Sequence, residues 1–225
     1  MSMFEGFSKH AVTFLNELAN NNNRSWFHEN KLRYEEHIKQ PSTEFAELMA
    51  NELSMMAGCQ LLPKVFRIHR DVRFSRDKTP YNTWIHMAFF PYTETGKPEP
   101  GFRGFYFGLE LDHLSLGAGC FEMPKNKLAR YRQKVAYTDF AANLTNLMQQ
   151  YRQQPNLEVE GPDLKRVPSQ FDGEHPFADL LRYKQVLSFH RGHIPSELHS
   201  DSCVHYVADI YKQFVPLFEL LGELD

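Results

Sequence analysis

The apolar positions of the chain switch between helical and strand spacing. Ala11, Phe14, Leu15 and Leu18 stand at i, i+3, i+4 and i+7, which predicts an amphipathic helix starting near Ser8 as N-cap. The polar run Asn20 to Asn23 ends it. Ser25 then caps a second helix from Trp26 to about Lys39, with Phe27, Tyr34 and Ile38 on one face. Pro41 breaks that helix and suits the first turn of a third. The stripe of the third helix is Phe45, Leu48, Met49, Glu52, Leu53 and Met56, and Gly58 is its C-cap.

The spacing then falls to two. From Val65 to Phe74 the side chains alternate, which predicts a strand. One face carries Phe66, Ile68, Val72 and Phe74, with Arg70 among them. The other carries Arg67, His69, Asp71 and Arg73, with Val65. A turn follows at Asp77 to Pro80. Further strands are expected over Trp84 to Phe90, Phe105 to Leu111 and Leu114 to Phe121. The Pro- and Gly-rich stretch Pro91 to Gly101 is a loop. Connections this short make the sheet an antiparallel meander. In the strand at Leu114, Gly117 and Gly119 mark a bulge or a close approach, and Cys120 is a core residue.

Helical spacing returns after Pro124, first with Leu128, Tyr131 and Val135, then with Phe140, Leu144, Leu147, Met148 and Tyr151 behind a cap at Thr138 or Asp139. Pro155 to Pro176 is irregular, with a short strand at Leu157 to Val159. Lys184 to His190 is another strand. A last helix runs from about Asp201 to Leu221, kinked or split by Pro216. The result is an α+β fold: a single domain over residues 1–225, with a mainly antiparallel central sheet, an N-terminal three-helix layer and C-terminal helices packed on it.

Composition adds little until charge is mapped. A chain of 225 residues buries a sizeable core without staples, and its 19 Phe make that core Phe-rich. The formal net charge is −3, but Lys64 to Lys78 holds six cations against two anions, net +4, so everything else carries −7. Three cysteines, far apart and without a CxxC, form neither a disulfide framework nor a zinc signature and fit a reducing cytosol. The first ten residues lack the apolar core of a signal peptide, and no apolar run approaches the ~18 residues of a membrane span. His190, His193, His199 and His205 are close in sequence, but Gly192 and Pro195 disfavour a two-His helical face, so no metal site is assigned. Nucleotide and hydrolase signatures are absent, and no cofactor is implied.

The candidate chemistry therefore sits in Lys64 to Tyr81. Arg67 and Arg73 could fork a phosphate or carboxylate, and Lys78 and Tyr81 could close over that row. His69 or Asp71 would then be the catalytic candidates, with Arg70, Arg73 and Lys78 holding the anion. Arg70, on the apolar face, requires either a bulge or a buried acid such as Glu110. Glu110 and Asp112 are expected to bridge to the Arg strand. The competing reading is an internal salt-bridge network supplied by the acidic remainder. Nucleic-acid binding through the basic run is disfavoured by the half-buried strand and the acidic remainder.

Arg70-Asp71-Val72-Arg73-Phe74-Ser75-Arg76-Asp77-Lys78-Thr79-Pro80-Tyr81 resembles the signature of a widespread, mainly bacterial family classed as a domain of unknown function. Asn21-Asn22, Trp26-Phe27, Asn30-Lys31, Tyr34-Glu35, Gly117-Ala118-Gly119, Leu164 to Pro168, His175-Pro176 and Leu180-Leu181 follow the same pattern in order. The resemblance covers nearly the whole chain and implies one intact domain, but it brings no activity. It departs after Pro168, where Ser169-Gln170-Phe171 replaces a Gly-containing block and removes the glycine a tight turn would use. The residues that carry it cluster as Trp26, Asn30, Tyr34, Arg70, Asp71, Arg73, Asp77, Lys78 and Tyr81; with Arg67 from the charged strand face, and with Asp71 kept as a catalytic candidate, they give the ligand-site set. They are expected to converge between the second helix and the strand, around a small anionic ligand.

Overall fold

The computed structural model describes residues 4–225; Met1, Ser2 and Met3, the start of the segment read as no signal peptide, lie outside the described residues. The first helix, α1 (Lys9–Asn20), buries the four expected positions Ala11, Phe14, Leu15 and Leu18. The second region differs from expectation. α2 (Arg24–Glu29) is capped by Asn23, whose side chain accepts from the Trp26 N–H, and not by Ser25. Asn30 then breaks the helix, and a short α3 (Lys31–Tyr34) restarts it.

Pro41 does not end that helix. A π-helical turn, Glu35–Lys39, leads straight into α4 (Gln40–Ala57). In α-geometry the Pro41 ring would strike the carbonyl four residues back. The wider turn, in which the Gln40 N–H reaches Glu35 O, moves that carbonyl aside. α4 buries Phe45, Ala46, Met49, Ala50 and Leu53, so its stripe is rotated toward the alanines and leaves Leu48 outside. Gly58 ends it in the left-handed conformation, at φ +63°.

Four strands follow as a meander: β1 (Leu61–Val65), β2 (Ile85–Pro91), β3 (Arg103–Leu109) and β4 (His113–Cys120). After α5 (Lys125–Tyr137) and α6 (Phe140–Arg152) come β5 (Leu157–Val159) and β6 (Val186–His193). The sheet order is β1-β2-β3-β4-β6-β5, antiparallel throughout. α7 (Cys203–Tyr211) and α8 (Val215–Leu221) are separated by one 3-10 turn, with Pro216 at the start of α8, so Pro216 splits the last helix as expected. An α+β fold with helices on an antiparallel sheet is what the spacing predicts.

One sheet face carries Met87, Phe89, Phe105, Phe107, Leu114 and Leu116 against α4, α7 and α8. Phe45 meets Phe107 at 4.9 Å and Phe218 stacks on Phe105 at 5.0 Å, so the core is Phe-rich. On the other face Tyr106 and Phe189 lie over the glycines of β3 and β4. A Cβ on Gly117 would meet the Phe189 ring, and one on Gly119, at φ +153°, would meet the Val186 carbonyl. These glycines permit the close approach of β6. The turn at Pro168 forms without glycine: the Phe171 N–H donates to Pro168 O at 3.0 Å, and none of its residues takes a positive φ.

The expected strand from Val65 to Phe74 does not form. Strand pairing ends at Val65, and the chain continues as a long connection to β2. Of its apolar alternation only Ile68 is buried, while Phe74 is 96% exposed. β1 is the edge of the sheet and has β2 as its single neighbour. A row that is charged on one side and uncovered on the other gains nothing from continuing as an edge.

Candidate functional site

The β1–β2 connection is a hairpin-like arm with a narrow base. The Asn82 N–H donates to Ile68 O at 2.7 Å and the Arg70 N–H to Pro80 O at 2.9 Å, with His69 bridged to Tyr81 between them. Beyond this base, Arg70 to Pro80 is a loop that closes on itself. Arg70 donates to Asp77 at 2.5 Å and to Thr79, and so it is not paired with Glu110. Glu110 instead bonds His86 at 2.5 Å and Asp112 bonds His113 at 2.7 Å, so neither carboxylate reaches the Arg run. Asp77 accepts from the Thr79 backbone N–H at 2.9 Å in an Asx turn. That donor, then Arg70 and the Thr79 hydroxyl, pull the Asp77 carboxyl down to about 2. Asp71 takes the Arg73 guanidinium at 2.6 and 2.9 Å, which lowers its carboxyl pKa. Lys78 donates to Val72 O at 2.9 Å.

The helical layer clamps the arm at Tyr81. Asn22, in the turn between α1 and α2, donates to Tyr81 O at 2.9 Å and accepts from the Tyr81 N–H at 3.1 Å. The Phe27 ring of α2 stacks on the Tyr81 ring at 4.1 Å and 17°. His69 stands edge-on to Phe27 at 5.8 Å, and Tyr34 packs on Phe27 at 5.2 Å, which brings His69, Tyr81 and Tyr34 into one aromatic cluster. Burial raises the Tyr34 hydroxyl pKa. Trp26 packs onto Phe14 at 5.5 Å. Asn30 caps locally: its amide donates to Trp26 O and its oxygen accepts from Arg33. Trp26 and Asn30 therefore support the helical layer and line neither of the cavities beside the arm.

Two neighbouring cavities flank the arm, each of about 280 Å³. The outer one is lined by Arg67, His69, Arg70, Asp71, Asn82 and Trp84. The inner one runs along the π-turn and is lined by Tyr34, Lys39, Ser42, Thr43, Ile68 and Ile85. Phe66, Arg67 and Trp84 belong to both. Among the described residues Arg67 makes no ion pair and its guanidinium no hydrogen bond; its backbone carbonyl accepts from Asn82 at 3.0 Å. Ser42 is 1% exposed, and its hydroxyl has no partner among the described residues. Such an orphan is rare and costs roughly 1–3 kcal/mol.

Of the sequence-expected residues, Arg67, His69, Arg70 and Asp71 meet at the outer cavity, and Tyr34 and Tyr81 both pack on Phe27. Arg73 and Asp77 sit in the loop paired with Asp71 and Arg70, and Lys78 is directed at the loop backbone. Asn22, Lys39, Ser42, Asn82 and Trp84 enter from separate segments. Asn22 alone carried a signal, as part of the family pattern. Among the described residues no group of three or more His, Cys, Asp or Glu is placed to hold a metal ion, and no helix is long and apolar enough to cross a membrane.

A family model for conserved hypothetical proteins, DUF2461, matches residues 10–220, and the chain belongs to that family. No curated protein matches the chain.

Proposed function

We propose that this family member binds a small anionic ligand, a phosphate or carboxylate compound, in the groove between the π-turn and the β1–β2 arm. Arg67 is the group that holds the anion. The observation that carries the reading is its freedom: it lines both cavities, while Arg70 and Arg73 in the same arm already hold a carboxylate each. A guanidinium with its donors unspent matches a phosphate or carboxylate edge. His69 and Asn82 share the outer cavity and add polar contacts, and Trp84 supplies an apolar wall. Ser42 offers an unspent hydroxyl in the inner one. If the bound compound reacts, His69 is the acid or base within reach, since Asp71 is engaged by Arg73.

Arg70, Asp77, Arg73 and Lys78 act on this reading as braces that shape the arm. A second reading, a purely structural arm, is favoured by the same local pairing. The two separate in a thermal-shift screen of anionic metabolites. Binding predicts that some anions stabilise the wild type and that Arg67→Ala loses the effect while Arg76→Ala keeps it. No stabilisation by any anion, or equal stabilisation of Arg67→Ala, leaves the structural reading standing.

A further inference from the structure

A cavity of about 360 Å³ lies where β2 and β3 meet α5, and it shares no lining residue with the groove around Arg67. Phe90, Tyr92 and Phe102 form apolar wall, and Arg103, Lys127 and Arg130 bring three cations to it. All three converge on the Asp225 residue. Its carboxylate accepts from Arg103 Nε at 2.6 Å and from Lys127 Nζ at 2.6 Å. Arg130 donates to the backbone oxygens of Leu224 at 2.8 Å and Asp225 at 2.5 Å.

The partners are unequal. Arg103 and Lys127 are only 17% and 12% exposed, whereas Asp225 is 44% exposed. Arg103 is also fixed without Asp225, by donating to Phe218 O at 3.0 Å and lying over the Phe218 ring at 4.1 Å. Arg103 is therefore set by the fold, and the more exposed carboxylate joins it to Lys127. Cations this deep require an anion, but nothing about them requires that the anion be Asp225. Glu223 pairs with Lys134 at 2.7 Å, which anchors the same segment independently.

We propose that this cavity is a separate binding site for a small organic carboxylate with an apolar body, and that the Asp225 side chain occupies the carboxylate position until ligand displaces it. The ligand carboxylate would take Arg103 and Lys127, and its apolar part would lie against Phe90 and Phe102. The volume fits a ligand of modest size.

Benzoate is the probe, titrated calorimetrically into the full chain. Asp225→Ala, which removes the competitor, is expected to bind benzoate at least tenfold tighter than wild type, and adding Lys127→Met is expected to abolish the gain. Asp225→Asn preserves the shape of the segment and should show the same gain where Asp225→Ala does not fold. In the wild type, saturating benzoate should shift the carbon-13 resonance of the Asp225 carboxyl as it leaves the cations. Equal affinity in wild type and both Asp225 variants overturns the proposal. So does a gain that survives Lys127→Met, or an Asp225 resonance that stays fixed at saturation.

Discussion

Asn22→Ala tests the link between the helical layer and the arm. The substitution removes two hydrogen bonds to Tyr81, at 2.9 and 3.1 Å. Each bond contributes roughly 0.5–1.5 kcal/mol net. Tyr81 is 6% exposed, so its N–H and C=O regain water poorly, which adds to the loss. The expected destabilisation is about 2–3 kcal/mol. For a chain of this length that is a fall in melting temperature of roughly 4–12 °C. Asn22→Asp retains the acceptor for the Tyr81 N–H but sets a carboxylate oxygen against the Tyr81 carbonyl, so a loss at least as large as that of Asn22→Ala is expected. Urea denaturation gives the energy, and hydrogen exchange at the Tyr81 amide locates it. A change below about 0.5 kcal/mol, with the Tyr81 amide protected as before, refutes the clamp.

Other expectations follow from the same geometry. Phe27→Ala removes the ring stacked on Tyr81 and should cost about 3–5 kcal/mol, read by denaturation midpoint. Gly119→Ala places a Cβ against the Val186 carbonyl at a φ of +153°, so a loss of more than about 2 kcal/mol is expected; a neutral substitution would show that β4 and β6 approach less closely. Arg73→Ala breaks an exposed pair and should change stability by less than about 1 kcal/mol and leave anion binding intact. Asp77 is depressed to about 2, so its contribution to loop order is complete above its unfolded value near 4 and is lost as pH falls through about 2. A carbon-detected titration of Asp77 with a midpoint near 4 would contradict the Asx turn.

Much of the scaffold is legible because spacing and burial agree there. The four buried positions of α1, the three residues of β5 and the split at Pro216 follow directly from the residues. Val65 to Phe74 shows where that logic ends. Alternation tells which side chains share a face but not whether anything covers the face, and Phe74 stands 96% exposed in the loop beyond β1. Pro41 shows a second limit: a helix breaker is absorbed when a π-turn precedes it. The candidate site is readable only in part. Asp71 with Arg73, and Asp77 with Thr79, are pairs two residues apart, so their local bonding is written in the spacing. Arg67 is different. Its setting depends on the stretch from Asn82 to Trp84 and on the π-turn, which arrive from two separate segments, and spacing does not encode that.

Whether the Arg67 groove takes an anion is decided by an NMR titration of the Arg67 guanidinium with inorganic phosphate. Binding in the groove gives a saturable shift of the Arg67 Nε–H signal, together with the His69 ring and the Trp84 indole. Arg73, held by Asp71, should not move. An Arg67 signal that does not respond, or that moves no more than those of Arg73 and Arg76, contradicts it.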